Sequence, residues 1–136
     1  MAPNPLSGVQ TWAYHLGDVT GRRADQIAAT GVDMVVIDAE DGNIVPYSAT
    51  RIDRVRGDEG LVVSYLSIGE AENYRDYWQA SWNSTPPSFM ADANPEWTDN
   101  FNVAYWDPAW QQIILDRVAR IVSQGFDGLY LDIIDA

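Results

Sequence analysis

Gly31-Val32-Asp33-Met34-Val35-Val36-Ile37-Asp38 and Gly125-Phe126-Asp127-Gly128-Leu129-Tyr130-Leu131-Asp132 share one form: Gly, apolar, Asp, any residue, three apolar residues, Asp. Each octet follows a stretch with helical spacing. Ahead of the second, Trp110, Ile113, Ile114, Val118, Ile121 and Val122 mark one face of a helix. Asp107 and Pro108 suit its N-cap and first turn, and Gly125 suits the residue just past its end. Ahead of the first, residues 20–30 read as a shorter helix with Ala24, Ile27 and Ala28 inward. The runs 34–37 and 129–134 are continuously apolar, the pattern of parallel strands buried on both faces. The repeated unit is therefore helix, glycine stop, buried strand, terminal Asp.

Further strands are expected over 9–16, 61–68 and 102–106, a helix with an aromatic face over 72–78, and loops over 83–88 and 95–100. Strands separated by helices or loops in one short chain indicate an α/β fold. An open doubly wound sheet would suit 136 residues, yet no Gly-x-Gly-x-x-Gly follows a strand, and without Lys there is no phosphate loop. A closed (β/α)8 barrel explains more of the chemistry but needs about 250 residues. The expectation is a single domain over residues 1–136, made of parallel β/α units that form about half of a TIM barrel, β1 to about β5, truncated.

Charge narrows the partners. Fifteen Asp and five Glu stand against eight Arg and no Lys, a net charge of −12. Scattered, outnumbered basic residues argue against nucleic acid and against an anionic membrane surface. No apolar run approaches the ~18 residues of a membrane span, and residues 1–8 lack the charged and apolar regions of a signal peptide. With no Cys there is no thiolate metal site or Cys nucleophile, and no calcium-type Asp-x-Asp-x-Asp-Gly loop occurs. The expectation is no cofactor and no metal, with a small acidic metal-binding α/β domain as an alternative.

In parallel β/α folds the site lies at the C-terminal ends of the strands. Here acids recur at those ends: Asp38 and Glu40, Glu70 and Glu72, Asp107, then Asp132 and Asp135. Asp33 and Asp127 open their strands and read as loop or cap residues, and Asp107 before Pro108 as a cap. Carboxylates gathered on one rim divide into a protonated acid and an ionised base, the division that glycoside hydrolysis requires. Trp12, Tyr14, Tyr65, Tyr105 and Trp106 lie near the same ends and suit stacking on sugar rings, whereas Trp110 reads as core.

Three stretches taken together carry a family resemblance: residues 65–75 (YLSIGEAENYR), 103–110 (VAYWDPAW) and 125–132 (GFDGLYLD). In this order and spacing the chain resembles glycoside hydrolase family 114, the endo-α-1,4-polygalactosaminidase-like TIM-barrel proteins, from about Trp12 onward. The resemblance implies an extracellular or periplasmic barrel enzyme that cleaves galactosamine-rich polysaccharide. It implies a catalytic carboxylate at Asp132, and a second one on a later strand, beyond Ala136. Asp38, Glu70, Glu72, Asp135, Tyr65, Tyr105, Trp106 and Trp12 are then candidates for binding sugar. A non-catalytic carbohydrate-binding or scaffold domain is the alternative of a different class. Half a barrel also leaves open sheet edges, through which self-association is expected.

Overall fold

The structure of the protein, a computed structural model, describes residues 4–135. In chain order its elements are β1 (Trp12–His15), α1 (Gly21–Ala28), β2 (Met34–Ile37), α2 (Ala49–Arg56), β3 (Leu61–Ser67), β4 (Glu70–Glu72), β5 (Met90–Ala93), β6 (Asn100–Val103), α3 (Pro108–Gln124) and β7 (Gly128–Asp132). The backbone divides into two compact units, residues 4–65 with 121–130 and residues 66–120 with 131–135.

The first unit is built on a sheet of order β1-β2-β3-β7. Trp12 pairs with Met34 and Tyr14 with Val36, and Val36 in turn lies opposite Val63, all in parallel register. Alternation along each strand then sorts the side chains. Val35, Ile37 and Val62 face Ile27, Ile52, Val55 and Ile121, a buried core in which α1 and α2 cover the sheet. Val36, Val63 and Tyr65 face the other way, with Met34 and Tyr130 packed against them. Helices on one face with a strand-lined layer on the other is the arrangement of a barrel wall.

The two octets form β2 and β7. Their glycines stop helices in the left-handed region, Gly31 at φ 65° and Gly125 at φ 101°. Their opening aspartates do more than cap. Asp33 Oδ2 accepts hydrogen bonds from Gln10 N (2.9 Å), Thr11 N (2.7 Å) and Thr11 Oγ1 (2.8 Å). These donors, the Gln10 N–H foremost, hold its carboxyl below the usual range. Asp127 Oδ2 accepts from Val62 N at 2.8 Å and Arg56 Nε at 3.1 Å. Each octet thus ties the start of its own strand to the start of its neighbour, satisfying N–H groups that the sheet ladder leaves open.

The second unit departs from expectation. Only four strands join the parallel sheet, not five, because the segment expected as a strand over 102–106 forms β6 instead, the centre of a separate antiparallel sheet of order β4-β6-β5. The helix expected over 72–78 is absent: Glu72 closes β4 and a run of turns follows. The aromatic spacing that suggested a helix serves a different core. Tyr77, Trp78 and Trp82 pack with Phe89 and Trp110, with Tyr77–Trp110 and Phe89–Trp110 ring centroids both 5.5 Å apart. Trp110 also donates from Nε1 to the Ile68 carbonyl at 2.9 Å.

Helix α3 begins and ends where the sequence indicates: Asp107 Oδ1 accepts from Ala109 N at 2.8 Å, and Gly125 follows its last residue. Its buried face is the one expected at Trp110, Ile113, Ile114, Val118 and Ile121, and departs from it at two positions. Val122 is exposed, whereas Arg117 is buried and donates to Asp76 Oδ1 at 2.6 Å. Residues 110, 113, 114, 117 and 121 form one stripe at helical spacing, and 122 lies about 100° round from 121.

Candidate active site

In the first unit, β2 delivers Asp38 just past its C-terminal end, followed by buried Glu40, whose backbone bridges to Pro46. On the strand face opposite the helices lies a layer of four rings. Tyr14 meets Tyr65 and Tyr130 edge-on at centroid distances of 6.4 and 5.5 Å, and Trp12 lies nearly parallel to Tyr130 at 6.3 Å. Tyr65 is buried there, while Trp12 remains 55% exposed. Tyr130, absent from the candidates drawn from sequence, joins this layer because it alternates with Leu129 and Leu131 along β7.

In the second unit, β4 places Glu70 and Glu72 on one side of the strand and Ala71 in the core between them. Glu70 is 3% exposed, and both of its carboxylate oxygens accept from side-chain amides: Oε1 from Asn94 Nδ2 at 2.8 Å, Oε2 from Asn100 Nδ2 at 3.1 Å. Glu72 receives Arg75 Nε on Oε2 at 2.7 Å, and the Tyr74 hydroxyl on Oε1 at 2.7 Å. The Glu72 backbone N–H donates to the Tyr77 hydroxyl at 2.8 Å, and burial pushes that phenol well above its ordinary pKa. No sequence spacing announced the roles of Asn94, Asn100 and Arg75, although an Asn-Pro step marks the turn that brings Asn94 into place.

Asp132 is the last residue of β7, and its backbone carbonyl accepts from Ile68 N at 3.1 Å. The next residue, Ile133, stands at φ 54°, where the expected strand over 129–134 ends early. A β-branched residue in the left-handed region is strained and persists only where its surroundings impose it, most often at functional sites. Asp135 is exposed. Tyr105 and Trp106 project from the turn ahead of α3, their rings perpendicular at 5.0 Å between centroids, and Trp106 is 68% exposed. Tyr105 also lines an apolar groove of about 280 Å³ with Ile68, Trp110 and Leu115. Among the described residues no cluster of three His, Asp or Glu groups suits a metal ion, and no helix is long and apolar enough to cross a membrane.

A family model, Glycoside-hydrolase family GH114, matches the chain over residues 2–136. The chain belongs to family GH114. An uncharacterised relative from Deinococcus radiodurans is 40% identical over 131 residues, covering 96% of this chain and 42% of the relative. Another, from Methanocaldococcus jannaschii, is 40% identical over 126 residues, covering 91% of this chain and 36% of the relative. The GH114 chain therefore spans less than half the length of these relatives. Among solved structures it resembles the glycoside hydrolase domain of PelA from Pseudomonas aeruginosa (TM-score 0.71, 20% identity, 94% of this chain and 46% of that one). It also resembles Aspergillus fumigatus Ega3 in complex with galactosamine (TM-score 0.67, 20% identity, 93% and 45%). At these identities the likeness is one of fold: this chain has the parallel β/α architecture of about half a TIM-barrel glycoside hydrolase.

Proposed function

We propose that this GH114 chain supplies part of a glycoside hydrolase that cleaves α-linked, galactosamine-rich polysaccharide, with Asp132 as one of the two catalytic carboxylates. The observation that carries the reading is the place of Asp132: the last residue of a barrel strand, the end at which barrel enzymes hold their chemistry, in a chain of a glycoside hydrolase family. Hydrolysis of a glycoside needs one carboxyl to protonate the leaving oxygen and one carboxylate to attack the sugar or activate water. The partner of Asp132 comes from a strand of the other half of the barrel. In the first unit Trp12 offers a flat apolar face to a sugar ring and Asp38 an acceptor, whereas Tyr65, a candidate from sequence, is buried under the ring layer. In the second unit Tyr105 and Trp106 offer such faces and Asp135 an acceptor for hydroxyl or ammonium groups. Glu70 and Glu72 act through the side chains they hold in place, since protein donors engage their oxygens.

The galactosamine found with Ega3 supports the substrate class. So does the net charge of −12, which attracts a polymer carrying free ammonium groups and speeds its approach. The enzyme works outside the cytoplasm, as the family resemblance implies.

Incubating the 136-residue chain with a de-N-acetylated galactosamine oligosaccharide tests the reading, with binding followed by calorimetry and chain length by mass spectrometry. Binding is expected; absence of binding at millimolar concentrations would overturn it. Catalysis is tested separately, in a protein that continues this sequence to a complete barrel: binding there with no shortening of the oligosaccharide would favour the second reading, a carbohydrate-binding domain without catalysis.

The parallel sheet has β1 and β7 at its edges. Unpaired edges and the ring layer of the first unit make self-association the expected behaviour of the chain in isolation. Light scattering should report a dimer or larger species; a monodisperse monomer with a cooperative melt would contradict this.

A further inference from the structure

We propose that the loop joining β5 to β6 is a sugar-binding platform whose working surface is Trp97, taking the apolar face of a hexosamine unit; the assignment rests on the galactosamine-polymer reading above and adds a subsite to it.

Three of the six tryptophans, Trp78, Trp82 and Trp110, belong to the core of the second unit. Of the three left exposed, Trp12 and Trp106 each lie against another aromatic ring, whereas Trp97 is 67% exposed and makes no ring contact among the described residues. One exposed tryptophan is unremarkable by itself. What sets Trp97 apart is how firmly its loop is built.

Asn94 N donates to the Asn100 carbonyl at 2.7 Å and Asn100 N to the Trp97 carbonyl at 2.8 Å, closing the loop on itself. Inside it, Asn94 Oδ1 accepts from Glu96 N at 2.9 Å and Trp97 N at 3.3 Å, an Asx-type turn that fixes the backbone at the tryptophan. The side-chain amides of the same Asn94 and Asn100 reach inward to opposite oxygens of buried Glu70, so one carboxylate pins both feet of the loop. A third tether runs from Asn73, whose N and Nδ2 bond the Asp99 carbonyl and carboxylate, both at 2.9 Å.

Burying a carboxylate is costly, and so is ordering six loop residues. The tip that these bonds hold in place faces water, with Trp97 67% exposed. The arrangement makes sense as preorganisation: a flat aromatic face fixed before the ligand arrives, sparing the ordering cost on binding. Its neighbours set the ligand class. Glu96 and Asp99 flank Trp97 in sequence and are exposed, giving an aromatic surface in an anionic setting. Such a surface favours a pyranose that carries an ammonium group, which the carboxylates attract and the indole face accepts as a cation.

The test is calorimetric titration of the full 136-residue chain with a de-N-acetylated galactosamine hexasaccharide and with its fully N-acetylated form. Trp97→Ala is expected to weaken binding of the first by about tenfold with no change in melting temperature, and Trp97→Phe to recover most of the loss. Asn94→Ala, which frees one foot of the loop while leaving the indole in place, should weaken binding as well. The acetylated form, lacking the cation, should bind the wild-type chain more weakly. Wild-type affinity in Trp97→Ala would overturn the platform, and if Trp106→Ala then lowers affinity the polysaccharide reading survives without it. No binding of either oligosaccharide by the wild-type chain would overturn both.

Discussion

Asp132→Asn, made in a protein that continues this sequence to a complete barrel, is expected to lower kcat on galactosamine polymer by about 10²- to 10⁴-fold, with KM changed by only a few-fold. Asparagine keeps the size of the side chain and its capacity to accept a hydrogen bond, but it neither attacks a sugar nor cycles a proton. The contacts that set the position belong to the backbone: Ile68 N donates to the Asp132 carbonyl, and Ile133 turns the chain through the left-handed region. The substitution leaves both in place, so the melting temperature should not move. Asp38→Asn serves as the comparison. On the proposed reading Asp38 binds rather than reacts, so its loss should raise KM more than it lowers kcat. Hydrolysis by Asp132→Asn at near wild-type rate would remove Asp132 from the mechanism. Turnover by the intact barrel would also allow the anomer of the product to be read. Retention and inversion correspond to carboxylate separations near 5 Å and roughly 6.5–9.5 Å, so the stereochemistry would locate the partner of Asp132.

The largest expected effect on stability is at Arg75. Its side chain is 7% exposed and that of Glu72 5%, and the two are joined at 2.7 Å. Arg75→Met removes the cation and leaves the Glu72 carboxylate buried beside it, a change that costs about 3–5 kcal/mol in comparable buried pairs. Denaturant unfolding, followed by tryptophan fluorescence from the Trp78, Trp82 and Trp110 core, measures it directly. Glu72→Gln combined with Arg75→Met should recover much of the loss, because no charge is then stranded. If Arg75→Met costs less than about 1 kcal/mol, the pair behaves as a solvated surface contact. Glu72 would then be free to meet a ligand, in line with the sugar-binding role that its place in the sequence suggests.

Much of this molecule is legible in the order of its residues. A strand buried on both faces must be apolar at consecutive positions, and a helix that stops against it needs a residue tolerant of positive φ. The two octets therefore identify β2 and β7, and the terminal Asp of each, before any coordinates are seen. The same signals mark α3 from its Asp107 cap to Gly125. The antiparallel sheet is not legible in this way. Glu70-Ala71-Glu72 is too short to show a period, and Tyr74, Tyr77 and Trp78 fall at a spacing that a helix and a series of turns share. The partners of β4 lie about thirty residues away on β6, across a loop whose length carries no pairing signal.

The carboxylates show the same division. The place of Asp38 and Asp132 at strand ends follows from sequence alone, because chain direction and the apolar run fix where a parallel strand stops. Glu70 and Glu72, expected at the end of the strand over 61–68, form the antiparallel β4 instead. Whether a carboxylate meets water, a ligand or the protein depends on donors brought to it from distant segments. Asn94 and Asn100 reach Glu70, while Arg75 and Tyr74 close on Glu72 after a turn that local propensity does not specify. Sequence by itself thus determined β2, β7, α1 and α3 and the Asp that ends each octet, while α2 over Ala49–Arg56, the antiparallel sheet and the partners of Glu70 and Glu72 were decided by tertiary structure. A strand run is a local property of the chain, but a hydrogen-bond partner is a property of the folded space around it.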